Sequence, residues 1–213
     1  MLIFLVRHAE STWNRLRKIQ GQKDPDLSDY GRKEAMLLRR RLRDLETEGI
    51  YSSPLRRAYE TARIAVGKGK RIEIVPDLRE IDLGEWEGKT LARIRKEYGD
   101  SFDRWAVAPT EVRIPGGEDF ISFDKRVRRA MASIERNHKQ GIVLVFSHGG
   151  VISTYITQVL RLPIDDVWCL TVKNASISIV EVDGGSRRLV AFNDIGHLIK
   201  LKASEFRRSI HVD

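Results

Sequence analysis

The sequence predicts an α/β fold: a three-layer αβα sandwich with a mostly parallel sheet, an antiparallel edge and helices on both faces. Residues 2–6 and 142–146 are apolar runs without a polar interruption, which is typical of strands that are buried on both faces. Between such runs, apolar residues recur every three or four positions, as on one face of a helix. The Gly184-Gly185 pair predicts a hairpin between the last two strands, which gives the antiparallel edge.

Capping residues and apolar spacing define the individual elements. Ser28 is expected to cap a helix that ends at Gly49. Ser53, followed by Pro54 at the first helical position, is expected to cap the next helix. The other predicted elements are helices over residues 120–134 and 151–160 and strands over residues 2–6, 50–52, 72–75, 142–146, 168–172, 176–182 and 187–192.

Length and composition favour one domain. The chain has 213 residues and no shift in composition that marks a linker, so we expect a single domain over residues 1–213. Residues 82–118 contain short helical patches separated by glycine and proline, and are expected to form a lid-like insertion over the sheet.

The charge balance points to an anionic substrate. Lys and Arg number 38 against 30 Asp and Glu, a formal net charge of +8.

No apolar segment is long enough to cross a bilayer, and residues 1–6 lack the basic leader of a signal peptide. The single cysteine, Cys169, cannot form a disulfide within the chain. We therefore expect a cytoplasmic protein with no membrane partner.

Cationic and titratable side chains follow three of the predicted strands. Arg7 and His8 follow the first strand. Arg56 follows the second strand and His148 follows the central one. Because the carboxyl ends of parallel strands meet at one edge of a sheet, these side chains are expected to converge. Arginine presents a planar fork that matches phosphate oxygens, so such a pocket suits a phosphate ester.

Each of these residues also has an ordinary interpretation. An isolated histidine is usually packed or exposed without a chemical role, and we expect that of His138, His197 and His211. Arg56 can be a surface residue beside Arg57. Residue type and strand position agree at several places, however, and that agreement is stronger than any one match.

The same positions carry motifs that resemble a known family. Residues 5–14 read LVRHAESTWN, residues 51–62 read YSSPLRRAYETA, and residues 146–149 read FSHG. With Gln20-Gly21 and the run LRE at residues 78–80, this order resembles the histidine phosphatase superfamily, the phosphoglycerate-mutase-like proteins. The resemblance extends over most of the chain.

This resemblance implies roles for individual residues. It makes His8 the residue that becomes phosphorylated and Glu80 the proton donor, with Arg7, Arg56 and His148 holding the phosphoryl oxygens. The chemistry agrees, because a neutral imidazole can attack phosphorus while cations stabilise charge on the oxygens and an acid protonates the departing alcohol. By the same resemblance, the phosphate-binding pocket also includes four further residues, Asn14, Gln20, Gly21 and Gly149.

Within the family, a phosphatase is expected rather than a mutase. Cofactor-dependent mutases typically carry Asn two residues after the second catalytic histidine, where this chain has Gly150. Residues 84–88 and 115–118 also resemble the phosphatase branch. We therefore predict a metal-independent phosphomonoesterase that acts on a small phosphorylated metabolite through a phosphohistidine. A cofactor-dependent phosphoglycerate mutase is the alternative.

The motifs leave the substrate open among sugar phosphates, phosphoserine, 3-phosphoglycerate and α-ribazole phosphate. Specificity is expected to lie in residues 82–118, since these cover the predicted site. The candidate contacts with the leaving group are Trp86, Arg93, Trp105 and Arg113, although both tryptophans have an equally good interpretation as packing residues.

Other chemistries fit the sequence less well. A cysteine phosphatase needs an arginine six residues after its cysteine, and that position after Cys169 is Ala175. No His and Asp cluster has the spacing of a dinuclear metal site, so we expect neither a metal nor a cofactor.

Two hypotheses concern macromolecular partners. Arginine runs at residues 39–41 and 128–129 favour a non-catalytic anion-binding or nucleic-acid-binding module, but adjacent helix residues point about 100° apart and form no single stripe. We therefore expect no nucleic-acid partner. A homodimer is the second hypothesis, formed through an apolar sheet edge near Ile177, Ile179 and Val182.

Overall fold

The computed structural model describes residues 1–202, and within them six strands form one mixed sheet. The strands are β1 (Leu2–Arg7), β2 (Thr47–Ser52), β3 (Glu73–Ile74), β4 (Ile142–Ser147), β5 (Ile177–Asp183) and β6 (Ser186–Asp194). The helices are α1 (Thr12–Arg15), α2 (Asp29–Leu42), α3 (Arg56–Val66), α4 (Leu91–Tyr98), α5 (Ser101–Trp105), α6 (Phe120–Asn137) and α7 (Gly149–Leu160). Short 3-10 helices span Pro76–Leu78, Gly84–Trp86, Ile164–Cys169 and Gly196–Leu198.

The sheet has the strand order β3-β2-β4-β1-β5-β6. β1 pairs with β4 in parallel and with β5 antiparallel, and β2 pairs in parallel with both β4 and β3. On β1, Ile3 and Leu5 belong to a core shared with α6 and α7, whereas Val6 belongs to a core shared with α2 and α3. This confirms the predicted αβα sandwich, its mostly parallel sheet and its antiparallel edge.

The pairing register aligns the ends of the strands. Arg7 lies opposite Ser147 across β1 and β4, and Ser52 lies opposite Phe146 across β2 and β4. The residues that follow these three strands therefore leave the sheet at the same edge, as open α/β sheets require for a ligand site.

The predicted boundaries of two helices are wrong. Ser28 caps α2 as predicted, but the helix ends at Leu42 because the chain turns early and Gly49 already belongs to β2. The next helix, α3, begins at Arg56 rather than at Pro54, and no side chain caps it.

The predicted strand at residues 168–172 is also wrong. The chain there completes the 3-10 helix Ile164–Cys169 and continues without regular structure. The Trp168 ring packs on Trp105 and Phe120, with centroid distances of 4.7 Å and 5.8 Å. The apolar residues of this segment therefore reflect packing in an aromatic cluster and not sheet pairing.

Residues 82–118 pack into the main core of the described chain. Trp86, Ile94 and Trp105 are buried in the core that α6 and α7 share. Thr110 fixes the far end by donating its backbone N–H and its hydroxyl to Asp165, at 3.0 Å and 2.8 Å. The insertion thus forms a wall over the sheet. Its opening as a lid and the single domain over residues 1–213 stay predictions.

The predicted location of the dimer contact is wrong. Ile177, Ile179 and Val182 lie on β5, which is paired on both sides, with β1 and β6. The strands at the edges of the sheet are β3 and β6, and a homodimer stays a prediction. Among residues 1–202, no helix is both long and apolar enough to cross a membrane.

Candidate active site

A cavity of about 360 Å³ lies where β1, β2 and β4 end. Seven of the nine residues predicted for the site line it, and His148 lies buried beside His8. Arg56 is outside the cavity. The predicted residues that line the cavity are Arg7, His8, Asn14, Gln20, Gly21, Glu80 and Gly149.

His8 is held as a neutral imidazole with one free nitrogen. Its side chain is buried, and Nδ1 lies 2.7 Å from the carbonyl oxygen of Ala9. A carbonyl oxygen can only accept, so Nδ1 carries the hydrogen and Nε2 keeps its lone pair. Burial, with Arg57 and Arg7 adding to it, holds the pKa of His8 well below its ordinary value. His8 therefore presents a nucleophilic nitrogen at neutral pH.

His148 lies beside His8, with 5.3 Å between the ring centroids. Its Nε2 is 2.8 Å from the hydroxyl oxygen of Ser53, which also accepts the backbone N–H of Leu55. The Ser53 hydrogen is thus available to Nε2, which places the His148 proton on Nδ1. That nitrogen is buried and has no hydrogen-bond partner among the described residues. A phosphoryl oxygen would supply the missing acceptor.

Burial and neighbouring cations also hold His148 neutral. Desolvation is the largest cause that lowers its pKa well below the ordinary value, followed by Arg57. Two neutral imidazoles side by side avoid the repulsion that two imidazolium ions would suffer. One presents a lone pair and the other presents an N–H, so the pair combines a nucleophile with a donor for oxygen.

Arg7 is anchored at one end of its guanidinium group. Nη1 donates to the carbonyl oxygen of Val172, while Nε is buried without a partner among the described residues. The guanidinium packs against Gly149 at the start of α7, where a Cβ atom would lie in ordinary van der Waals contact, 3.5 Å from the Arg7 Cζ. Arg7 is therefore fixed against the backbone with donor capacity left for a ligand.

The predicted placement of Arg56 in this cavity is wrong, and Arg57 lines the cavity instead. The Arg56 side chain is 67% exposed and pairs with Asp26 at 2.9 Å. The Arg57 side chain is 1% exposed, lines the cavity, and donates to the carbonyl oxygens of Gly21 and Lys23, both at 2.7 Å. Burial lowers the pKa of Arg57 to about 10, so it stays a cation at neutral pH.

Helical spacing explains this correction. The buried face of α3 includes Arg57, Thr61 and Ala65, which are spaced four residues apart. Arg56 falls on the neighbouring, exposed face. The same spacing is visible in the sequence, where the alanine residues of this helix mark its buried side, so sequence reasoning had a signal that distinguishes the two arginines.

Glu80 is oriented by two backbone N–H groups. Its Oε1 accepts from Ile81 at 3.0 Å, and its Oε2 accepts from Gly150 in the first turn of α7 at 3.0 Å. A Cβ atom at position 150 would lie only 2.4 Å from the Glu80 Oε1. Glu80 can therefore take this position only because residue 150 has no side chain.

Asn14 and Gln20 present amide groups to the cavity. The Asn14 Oδ1 accepts from the Ser11 backbone at 3.0 Å and from Asn174 at 3.2 Å, and the Gln20 Oε1 accepts from the Ser11 hydroxyl at 2.8 Å. With both oxygens engaged, each side chain has its NH₂ group to offer to an anion. Gly21 has a φ of +52°, and a Cβ there would lie 1.9 Å from the Glu87 Oε1, so only glycine fits.

Most of the residues predicted to contact the leaving group do not line the cavity. Of the four candidates, only Trp105 lines the cavity. Trp86 is packed in the core, Arg93 is exposed and paired with Glu97, and Arg113 is exposed. Besides Arg57, the lining that sequence reasoning missed includes Lys18, Leu83, Phe102, Trp168, Leu170 and Thr171.

The other histidines stay apart from this cavity. His138 lies 2.8 Å from the Tyr51 hydroxyl through its Nε2, and neither it nor His197 lines the cavity. His211 lies outside the described residues. Within residues 1–202, no group of three or more His, Cys, Asp and Glu side chains is arranged to hold a metal ion.

Comparison with known proteins agrees with this geometry. The model of the histidine phosphatase superfamily (branch 1) matches residues 3–195. Phosphoserine phosphatase 1 of Hydrogenobacter thermophilus is 34% identical, over 92% of this chain and 93% of its own. A metal-independent phosphoserine phosphatase of Arabidopsis thaliana is 30% identical, over 92% of this chain and 82% of its own.

Solved structures and mutase-like relatives extend the comparison. YhfR of Bacillus stearothermophilus has a TM-score of 0.88 at 37% identity, over 92% of this chain and 98% of its own. A relative from Erwinia tasmaniensis that is named a probable phosphoglycerate mutase is 34% identical, over 84% of each chain. The family match runs from β1 to the end of β6. With this extent and these identities, the chain belongs to the histidine phosphatase superfamily.

Proposed function

We propose that this protein, a phosphatase of the histidine phosphatase superfamily, hydrolyses small phosphate monoesters through a phosphohistidine on His8, without a metal ion. The observation that carries the proposal is the state of His8. Its Nδ1 is tied to the Ala9 carbonyl, its pKa is lowered by burial, and its free Nε2 faces a cavity lined by buried arginines. A neutral nucleophile beside fixed cations is what attack on a phosphate ester requires.

In the first step, His8 takes the phosphoryl group. The Nε2 lone pair forms a bond to phosphorus as the bond between phosphorus and the leaving oxygen breaks. Arg7, Arg57 and the Nδ1–H of His148 donate to the phosphoryl oxygens, where charge accumulates in the transition state. Glu80, in its protonated form, gives its proton to the leaving oxygen, so the product departs as an alcohol. The negative charge of the bound phosphate favours that protonated form.

In the second step, water removes the phosphoryl group. The Glu80 carboxylate, which the first step left deprotonated, takes a proton from water as the water oxygen attacks phosphorus. The bond between Nε2 and phosphorus breaks, and inorganic phosphate leaves while His8 returns to a neutral imidazole. One carboxyl group thus serves as acid and then as base, and both proton transfers balance.

Gly150 supports hydrolysis over the mutase alternative. Glu80 accepts the Gly150 N–H, and a Cβ atom at this position would lie 2.4 Å from the Glu80 Oε1. An asparagine at position 150, the residue typical of the mutases, would therefore force the carboxyl group to move. The arrangement in this chain leaves Glu80 at the cavity as the base for water.

The names of the relatives and the lining of the cavity support a proposal for the substrate class. Relatives of this chain are named phosphoserine phosphatases, and we propose an alcohol of comparable size as the leaving group. It would contact the wall made by Trp105, Trp168 and Leu170, beside Lys18. A cytoplasmic location and a homodimer remain predictions from the sequence.

A phosphatase assay tests this proposal directly. The protein, with and without a chelator, is supplied with p-nitrophenyl phosphate and with a panel of metabolite phosphates that includes phosphoserine and 3-phosphoglycerate. We expect phosphate release that the chelator leaves unchanged and that His8→Ala abolishes. Turnover by His8→Ala at the wild-type rate would contradict the mechanism. Salt-dependent binding of duplex DNA or RNA without any phosphate release would favour the non-catalytic module instead.

A further inference from the structure

Glu80 lies in a short loop, residues 79–83, that contains no helix or strand. The loop follows the 3-10 helix Pro76–Leu78, and the Glu80 carboxyl group reaches the first turn of α7. Loops of this kind do not fix a side chain unless other groups hold their backbone. The groups that hold this loop therefore decide where the proposed acid lies.

Arg126 of α6 holds the loop from behind. Its side chain is 7% exposed. Nη1 donates to the carbonyl oxygens of Asp77 at 2.9 Å and Arg79 at 2.6 Å, and Nη2 donates to the carbonyl oxygen of Glu80 at 2.9 Å. One guanidinium group thus binds three backbone carbonyls within four residues of the chain, the last of them belonging to Glu80 itself.

Glu118 fixes the guanidinium group in turn. Its Oε1 accepts from the Arg126 Nε and its Oε2 accepts from Nη2, both at 2.7 Å. Together with the three carbonyls, these contacts use all five N–H donors of Arg126. The arginine therefore has no donor left for a phosphate oxygen, and it does not line the cavity.

The fork geometry makes this arginine hard to replace. A lysine has one nitrogen at this distance from the backbone and cannot reach three carbonyls and a carboxylate in fixed directions. Glu118 is attached to the start of residues 82–118 by its backbone N–H, which donates to Asp82 at 2.9 Å. The pair thus ties α6, the Glu80 loop and the insertion to one another.

We propose that Arg126, held by Glu118, is a positioning residue that sets where the Glu80 carboxyl group meets the leaving oxygen. The inference rests on the proposed function, since it assumes that Glu80 is the acid. Loss of the fork frees the loop, and a misplacement of about 1 Å at a reacting group costs on the order of 100-fold in rate. The loss falls on proton transfer and not on phosphate binding.

Two esters that need the acid to different degrees separate these effects. An alkyl phosphate such as phosphoserine releases a strongly basic alkoxide, which needs Glu80, whereas p-nitrophenyl phosphate releases a stable anion without a proton. The value of kcat/KM reports only the steps up to cleavage of the ester, so the later role of Glu80 as a base does not enter. The ratio of kcat/KM for the two esters therefore measures acid placement.

The experiment compares Arg126→Lys and Glu118→Gln with wild type and with Arg128→Lys. Arg128 is the matched control, because it lies on the same helix, is 64% exposed and, among residues 1–202, forms an ion pair only with Asp124 of its own helix. For Arg126→Lys we expect kcat/KM for phosphoserine to fall about 100-fold and that for p-nitrophenyl phosphate to change less than about threefold. Glu118→Gln should show the same pattern with a smaller fall, and Arg128→Lys should change neither value.

Three results would overturn the inference. An equal fall for both esters would show a general structural defect, and no fall for either would show that Glu80 does not depend on Arg126. If Arg126→Lys fails to fold, Glu118→Gln carries the test, and an unchanged ester ratio there contradicts the inference. Wild-type protein that hydrolyses neither ester would contradict the proposed function itself, which is a distinct and recognisable outcome.

Discussion

The two ends of the cavity are built in different ways. At the phosphate end, His8 and His148 follow paired strands whose register is fixed, and their ring nitrogens are tied to neighbouring groups at 2.7 Å and 2.8 Å. At the leaving-group end, Trp105 and Trp168 come from short helical segments that are held by packing between aromatic rings. The phosphate end thus inherits its geometry from the sheet, and the leaving-group end depends on how two irregular segments pack.

The largest effect that tests this contrast is a comparison of two adjacent arginines. Arg57→Lys removes the fork that lies at the phosphate end, and we expect kcat/KM for any ester to fall at least about 100-fold. Arg56→Lys changes an exposed side chain outside the cavity and should leave kcat/KM within about twofold of wild type. Steady-state kinetics with p-nitrophenyl phosphate measures kcat/KM for both variants, and thermal melting shows whether each variant is folded. A large loss in Arg56→Lys with none in Arg57→Lys would reverse the assignment.

The same contrast explains what could be predicted from the sequence. Arg7, His8 and His148 follow strands whose apolar runs are easily recognised, and parallel pairing brings such strand ends together without further information. The sequence carried a signal for Arg57, since the alanine residues of α3 mark its buried side. Local pattern cannot show that the Ser53 hydroxyl also bonds His148, because that partner is 95 residues away in the sequence.

Glu80 and the aromatic wall were harder to locate. Glu80 follows no long strand, and only resemblance to the family singled it out, since its place is set by Arg126 and Gly150. Residues 168–172 have the composition of a strand, yet the Trp168 ring packs on Trp105 and Phe120 and the segment does not join the sheet. Tertiary packing overrides local preference there, and no short-range signal reports it.

A smaller effect is expected at the leaving-group end. Lys18 lines the cavity and forms no ion pair within the described part of the chain, so it is available to a carboxylate on the substrate. Phosphoserine and phosphoethanolamine differ only in that carboxylate. Lys18→Met should lower kcat/KM for phosphoserine about tenfold, because one charge-assisted hydrogen bond is lost. The value of kcat/KM for phosphoethanolamine should stay within about twofold of wild type.

The exposed Arg15, at the end of α1, provides the matched control for Lys18. Arg15→Met removes a nearby positive charge without touching the cavity, so both esters should keep their wild-type kcat/KM. If Lys18→Met lowered kcat/KM by the same factor for phosphoserine and phosphoethanolamine, Lys18 would not recognise a carboxylate.

A separate effect, on stability rather than on rate, is expected behind the phosphate end. Glu34 of α2 is 2% exposed and accepts the backbone N–H of Glu10 at 2.8 Å, two residues beyond His8. Burial raises the pKa of Glu34 from 4.5 to about 7. The folded protein therefore holds a proton that the unfolded chain has released, and the free energy of unfolding should fall as pH rises from about 4.5 to about 7.

Glu34→Gln removes this dependence and keeps an oxygen for the Glu10 N–H. At pH 8 the variant should be more stable than wild type by as much as about 3 kcal/mol, and at pH 4 the difference should vanish. Denaturant unfolding at the two pH values measures it. Glu46→Gln, which removes an exposed carboxylate beyond the end of α2, should show no such difference. A gain for Glu34→Gln that is equal at both pH values would contradict this account.

Trapping the phosphorylated enzyme shows whether His8 carries the phosphoryl group. Glu80→Gln protein is mixed with p-nitrophenyl phosphate, which can phosphorylate His8 without an acid, whereas loss of the base slows removal of the phosphoryl group. The reaction is stopped in alkali, where phosphohistidine survives, and the protein is digested for mass spectrometry. We predict one phosphoryl group, on His8. Release of p-nitrophenol with a phosphoryl group on another residue, or with none on the protein, would contradict the account.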